Sequence, residues 1–329
     1  MMKRRVNFCV VGLGRIGAEF DIPLDKSFPK SHCGAITLHK NASLVAVVDK
    51  NRERLKSAER YFGTSGYDSL QNVFKRETID VVVIATPESQ RLNLIKKIAD
   101  KVKVIVCEKP LAKDVQTAHK VFNIVKKNNI LMPINFIRRW YAGFHELKGK
   151  IEKGVIGDIQ NVIEMYIYDS LGAGSHQLDL NRFLFGDVHW IRAIKGQKQG
   201  FDCVVGHERA TVNYIGCSQR FYTMGETIIW GTKGRVDVID GGMKFKIFLR
   251  REDRNYKDYF RLYPADEVRI KSDYKKAMYN LVDNVVKSVL GLEVPFCSID
   301  DGLKCQQLFA AIKRSVCTGK KITGKDIYV

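Results

Sequence analysis

Five short, almost wholly apolar runs punctuate the first third of the chain: VNFCVVG (6–12), SLVAVVD (43–49), IDVVVIAT (79–86), VKVIVCE (102–108) and ILMPINF (130–136). They are rich in β-branched residues, the composition of strands covered on both faces. Between them, apolar positions recur every three to four residues in NRERLKSAERYF (51–62), SQRLNLIKKIAD (89–100) and DVQTAHKVFNIVKKN (114–128), which predicts amphipathic helices. Strand and helix in alternation predict parallel βαβ units and a doubly wound sheet.

Past residue 136 the pattern changes. A helix is expected over AGFHELKGKIEKG (142–154), with Gly154 as its stop. DIQNVIEMYIY (158–168), RATVNYIGCS (209–218), TIIWGTKGRVDVI (227–239) and MKFKIFLRR (243–251) then alternate apolar and polar residues. Such alternation predicts an antiparallel sheet with one face on a core, and GTKG reads as a hairpin turn. Two further helices, over 274–290 and 299–316, close the pattern. A chain of 329 residues exceeds what one core usually supports. The expected organisation is therefore α/β, with an N-terminal doubly wound domain (1–130). An α+β domain with a mostly antiparallel sheet (131–329) is expected to follow.

With 45% hydrophobic and 28% charged residues, the composition is that of a soluble globular protein. MMKRRVNFCVVGLGRIG mimics a signal peptide, but its apolar run is short and is broken by glycines and Arg15. No run approaches the ~18 apolar residues of a membrane helix. The eight cysteines show no CxxC and no Cys/His ligand spacing, which points to a reducing cytoplasm and away from structural zinc. The net charge of +19 favours anionic partners. No basic block, recognition helix or RNA-binding aromatic signature accompanies it, so nucleic acid rests on charge alone and an anionic small substrate uses the charge better.

Candidate chemistry begins at GLGRIG (12–17), a G-x-G-x-x-G expected between a strand and a helix. In that context Gly12 permits the tight turn, Gly14 lets backbone approach a pyrophosphate, and Gly17 lets helix and strand pack. Leu13, Arg15 and Ile16 complete the turn, and the amides at the helix start bind the anion. Asp49 ends the second strand, where an acid accepts from ribose hydroxyls and repels a 2′-phosphate, favouring NAD. Lys50 and Arg52 follow it and leave NADP admissible. The unusual spacing from Gly17 to Asp49 is ascribed to a loop insertion, DIPLDKSFPKSH (21–32). VIVCEKPLA (104–112) ends a strand in Glu108-Lys109-Pro110, where Pro110 stiffens the turn and a cis Lys109–Pro110 bond is admissible. GSHQLDL (174–180) sets His176 three residues before Asp179 at the start of a helical-looking stretch. Taken alone, that histidine is a packing or capping residue.

GLGRIG, ATP (85–87), CEKPLA, NFIRRW (135–140), GSHQLDLNRFLFGD, WGTKGRVDV (230–238) and IDDGLKCQQLFAAI occur in one order along the chain. Together they resemble the Gfo/Idh/MocA oxidoreductases, over nearly the whole length. The resemblance implies an N-terminal Rossmann dinucleotide-binding domain (1–130) followed by an α+β substrate and oligomerisation domain with an open, mostly antiparallel sheet (131–329). It also implies a homodimer or homotetramer, and hydride exchange between a nicotinamide cofactor and a sugar carbon. Thr86, Pro87, Glu108 and Lys109 are thereby expected at the cofactor, Lys109 and His176 in catalysis, and Asn135, Arg138, Arg139 and Asp179 at the substrate. Histidine suits proton transfer because its pKa lies near working pH, and a lysine steadies developing alkoxide charge. Asp179 either orients the imidazole, binds a neighbouring hydroxyl, or is an acid favoured at a helix start.

Two positions depart from the family pattern. Gly172 stands where many members carry an aspartate four residues before the histidine, and Arg91 stands where ATP-x-x-x-H would place a histidine. Loss of the aspartate leaves the substrate open, with Asp169 as a replacement, and is the one feature that favours a cofactor-binding sensor without turnover. Arg138 and Arg139, with the net charge, tilt the expectation towards a nucleotide-linked, phosphorylated or acidic sugar.

Overall fold

The computed structural model describes residues 4–168, 174–196, 201–218, 222 and 224–329. The chain forms two compact units, one of Met1–Trp140 with Lys275–Gln306 and one of Tyr141–Tyr274 with Gln307–Val329.

The first unit is built on β1 (Val6–Val11), β2 (Ala42–Val48), β3 (Ser65–Tyr67), β4 (Val81–Ile84), β5 (Val104–Glu108) and β6 (Ile134–Asn135). All are parallel, in the order β3-β2-β1-β4-β5-β6. Phe8, Val10, Val83, Ile84, Ile105 and Val106 are buried, as the all-apolar runs require of strands covered on both faces. The crossovers carry α1 (His32–Leu38), α2 (Arg52–Phe62), α3 (Leu70–Arg76), α4 (Glu88–Ile98) and α5 (Val115–Lys127). Strand order reverses between β1 and β4, the switch point outside whose carboxyl ends such sheets bind ligands. The three-residue β3 and the α3 that follows were not legible in the pattern, because Ser65-Gly66-Tyr67 is no apolar run.

The units do not divide at residue 130. Helix α8 (Ala277–Val289) packs in the first unit, where His39 Nε2 lies 3.2 Å from Asp283 Oδ1 and Asn280 Nδ2 donates to the Trp140 carbonyl at 2.8 Å. Helix α9 (Ile299–Thr318) begins there too. A Cβ added at Gly302 would stand 2.8 Å from Ile134 Cγ1, so this glycine lets α9 lie against β6. An amphipathic pattern reports that a helix has an apolar face and is silent on which core that face covers.

The second unit contains α6 (Ala142–Glu152), β7 (Ile159–Tyr168), α7 (Gly174–Phe185), β8 (Val188–Lys195), β9 (Phe201–His207) and β10 (Thr211–Ser218). It continues through β11 (Gly225–Gly231), β12 (Gly234–Ile239), β13 (Lys244–Glu252), β14 (Phe260–Pro264) and β15 (Ile322–Thr323). These strands form one sheet, β14-β13-β12-β11-β7-β10-β9-β8-β15. Only the β7–β10 pair is parallel among those described. Alternate residues of β11 and β12 are buried, as the pattern predicted. In the hairpin between them Gly231 and Gly234 serve close packing, since an added Cβ would stand 2.2 Å from the Ile156 carbonyl and 2.5 Å from that of Phe248. Strand β8 was missed because its register shifts between Val188 and Trp190, which breaks the two-residue period.

His207 ends β9 buried, its Nδ1 2.9 Å from the Gly186 carbonyl. Burial disfavours its charged form and lowers its pKa from 6.5 to about 4. The unfolded chain therefore takes up this proton near pH 6.5 and the folded chain only near pH 4. Stability is intact above the unfolded value and drains as pH falls through that window, by about 3 kcal/mol at most. Urea midpoints at pH 7 and 5 should show a smaller drop for His207→Asn than for the native chain, and an equal drop would refute the assignment.

Candidate active site

Strand β1 delivers the chain to Gly12, whose amide donates to the Val48 carbonyl at 2.9 Å and whose φ is +91°. That conformation favours glycine. A Cβ added at Gly17 would lie 2.0 Å from the Gly12 carbonyl oxygen, so the turn closes only on glycine. Gly14 differs: among the described residues an added Cβ would meet nothing within 4 Å, and no packing there requires a glycine. Among the described residues the amides of Gly14, Arg15, Ile16 and Gly17 donate to no protein acceptor. An open approach at Gly14 beside undonated amides is what a dinucleotide pyrophosphate needs, and the turn fits that group.

The helix expected after the turn is split. Ala18 N donates to the Gly14 carbonyl at 2.9 Å and Phe20 N to that of Arg15 at 3.0 Å, but the carbonyls of Ile16 (2.9 Å) and Gly17 (3.0 Å) accept from His32 and Cys33. Helix α1 thus resumes what the glycine turn begins, with residues 18–31 inserted between. Asp21, fully buried, closes the excursion by accepting from Ser31 N at 2.7 Å, Ser31 Oγ at 2.6 Å and Lys30 N at 2.9 Å.

Asp49, half-buried, follows β2. Its Oδ2 accepts from Leu13 N at 2.7 Å and its Oδ1 from Asn51 N at 2.8 Å. Two amides fix the carboxylate beside the glycine turn, and each oxygen keeps a second lone pair for a ribose hydroxyl.

At the ends of β4 and β5 lie the ATP and EKP stretches, and the Lys109–Pro110 bond is cis. Glu108 turns inward: its Oε1 is 2.8 Å from His32 Nε2 and accepts from Asn135 Nδ2 at 2.6 Å. Burial alone would raise its pKa, but the His32 contact, the Asn135 amide and the Arg91 charge outweigh it and hold Glu108 below the ordinary carboxylate value. Glu108 and Asn135, expected at the cofactor and the substrate, are both buried. Gln306 grips the next residues, accepting from Ala112 N at 3.3 Å and donating to its carbonyl at 2.7 Å. Lys109 itself is half-buried, Pro110 likewise, and Thr86 is buried with Pro87 leading into α4.

Arg91, in the first turns of α4, is only 4% exposed. Its Nε and Nη2 donate to the Thr86 carbonyl at 3.0 and 2.9 Å, Nη1 to the carbonyls of Glu108 and Pro110, and Nη2 to that of Lys109 at 3.5 Å. His32, Arg91 and Gln306 were not expected at the site. The one available signal was the position of Arg91, four residues after Pro87.

The two arginines separate. Arg139 is buried, paired with Asp301 Oδ1 at 3.2 Å and near the Phe296 carbonyl at 3.5 Å, so its charge serves the first unit's interior. Arg138 is half-buried in the 3₁₀ turn Ile137–Trp140. In the second unit α7 carries His176, half-buried, and Asp179, 1% exposed, one turn later. Behind the same helix Asn181 Nδ2 meets Tyr214 Oη at 3.0 Å, and Glu164, fully buried, accepts from Thr227 Oγ1 at 2.7 Å. Gly172 and Asp169 lie outside the described residues. Among those described, no cluster of three or more His, Cys, Asp or Glu is placed to hold a metal, and no helix is long and apolar enough to cross a membrane.

A family model described as an oxidoreductase family with an NAD-binding Rossmann fold matches residues 6–136. Over 155 residues the chain is 30% identical to inositol 2-dehydrogenase of Renibacterium salmoninarum, covering 47% of this chain and 44% of that enzyme. The chain thus matches less than half the length of that relative. The WlbA dehydrogenase of Bordetella pertussis, solved with NADH and UDP-GlcNAcA, superposes with a TM-score of 0.77 at 22% identity, covering 98% of this chain and 99% of that one. Levoglucosan dehydrogenase, solved with NADH and L-sorbose, gives a TM-score of 0.80 at 17% identity over 99% and 100% of the two chains. At these identities the two structures establish a shared fold.

Proposed function

We propose that this chain, whose residues 6–136 match the family model, is a Gfo/Idh/MocA oxidoreductase that binds NAD and transfers hydride to or from a carbon of a sugar or polyol. The observation that carries the reading is the glycine turn, where Gly12 and Gly17 are required by the fold and Gly14 is open to a ligand. NAD, when bound, supplies the hydride acceptor or donor. Lys109 brings an ammonium to an oxygen that gains alkoxide character. His176 takes or returns the proton of that oxygen, work for which an imidazole is suited near neutral pH. Asp49 holds the adenosine ribose and disfavours a 2′-phosphate. Calorimetry tests the cofactor: NADH should bind at least roughly tenfold more tightly than NADPH, because a fixed carboxylate repels the extra phosphate. Absence of binding by either would refute the reading, and equal binding would remove Asp49 as the selector.

The reading extends to an anionic sugar as preferred substrate. Its supports are the net charge of +19, the cations Lys109 and Arg138, and the sugar acid named in the Bordetella pertussis complex. Arg139, spent on Asp301, no longer contributes to the argument. Exposed attraction is screened over ~10 Å at 0.1 M salt. The kcat/KM for an anionic sugar should therefore exceed that for its neutral counterpart and fall with added salt. Equal efficiency without a salt effect would leave the charge as a surface property.

A further inference from the structure

We infer that Arg91 is the positioning residue for Lys109: its buried guanidinium clamps the turn that carries the lysine to the end of β4. The inference rests on the functional reading above for its kinetic consequence, though not for its structural one. Among the described residues Arg91 donates to four backbone carbonyls of the ATP and EKP stretches: Thr86 from Nε and Nη2, Glu108 and Pro110 from Nη1, Lys109 from Nη2; the Cys107 thiol also lies against its charge. No carboxylate bonds it directly: Glu108 offers Oε1 to His32 and Asn135 and meets the Arg91 charge only through space. A cation is costly to bury, and the four carbonyl dipoles, with that through-space attraction, compensate it here. The carbonyls are thereby drawn toward one point, which sets the path of the backbone on both sides of Lys109 Cα.

The chemistry requires an arginine. Its planar fork presents five donors in fixed directions and stays charged at any working pH. Lysine has the charge but gathers its donors on one nitrogen and cannot span carbonyls on two strands. Grips of another kind act beside it. His32 and Asn135 hold the Glu108 side chain and Gln306 holds Ala112, whereas Arg91 engages the backbone carbonyls of Lys109 and of the residues on either side of it.

The test uses the full chain with Arg91→Met and Arg91→Lys, each alone and combined with Lys109→Ala. Hydrogen exchange of the 104–113 segment should accelerate in Arg91→Met, while β1 and β2 keep their protection and NADH its affinity. On a turned-over sugar, Arg91→Met should lower kcat about a hundredfold, the scale of a misplaced catalytic group, and Arg91→Lys should recover part of the loss. In the Lys109→Ala background Arg91→Met should cost almost nothing more, because the two act as one unit. Losses that multiply would overturn the inference, since a general structural role does not depend on the lysine. Unchanged exchange at 104–113 would overturn it too, including for an Arg91→Lys chain should Arg91→Met fail to fold. Absence of turnover by the native chain on every sugar would instead refute the functional reading, leaving the exchange arm to decide on the clamp.

Discussion

Alanine at His176 is expected to lower kcat by about 10²–10⁴ while leaving NADH affinity near that of the native chain. The size follows from what a positioned acid–base group contributes, the role proposed for His176, and from where that residue sits. His176 is half-buried in the first turn of α7, an element of the second unit, whereas every element of the glycine turn and Asp49 belongs to the first. Proton transfer and cofactor binding should accordingly come apart on substitution. Lys109→Ala should also cut kcat heavily, since it removes charge that matters most when the oxygen becomes anionic. Stopped-flow turnover beside NADH titration separates the effects. Native turnover in His176→Ala would place the proton elsewhere, and parallel loss of NADH affinity would make the histidine a folding residue.

The second large effect concerns the three glycines, which the structure makes unequal. Gly14→Ala should fold with an unchanged midpoint, because the added methyl meets nothing within 4 Å, and should bind NADH at least about a hundredfold more weakly. Gly17→Ala should lose both. Its methyl would lie 2.0 Å from a backbone carbonyl, and such overpacking costs about 1–3 kcal/mol of stability besides opening the turn. Unfolding midpoints and NADH titrations on the two variants give a two-by-two result. Full NADH affinity in Gly14→Ala would mean that no phosphate passes over this turn.

The same contrast shows where sequence reasoning reached and where it stopped. Strands buried on both faces announce themselves, so β1, β2, β4 and β5 were all expected within two residues. Contacts that depend on distant partners left no local trace. The hydrogen bonds from His32 and Cys33 back to Ile16 and Gly17 skip the whole excursion at 18–31, and periodicity cannot register a helix resumed after a gap. Asp301, which takes the charge of Arg139, lies far along the chain, so two adjacent arginines read alike although one is buried and the other half-exposed. Arg91 sits on an amphipathic helix where a charged residue is usually solvated, and four carbonyls from two loops are needed before its burial makes sense. Glu108 carried its motif visibly, but its inward turn is set by His32, which the excursion brings beside it.

Turnover tests the proposed nicotinamide-dependent oxidation or reduction of a sugar or polyol most directly. The native chain, Gly14→Ala and His176→Ala would be offered NAD with inositols, neutral sugars, sugar acids and nucleotide-linked sugar acids, and the absorbance of the reduced nicotinamide followed. The expected result is sugar-dependent formation of NADH by the native chain, greatest with an anionic sugar, and loss of it in both variants. Tight NADH binding by a native chain that turns over none of these compounds in either direction would contradict it and make the protein a cofactor-binding sensor.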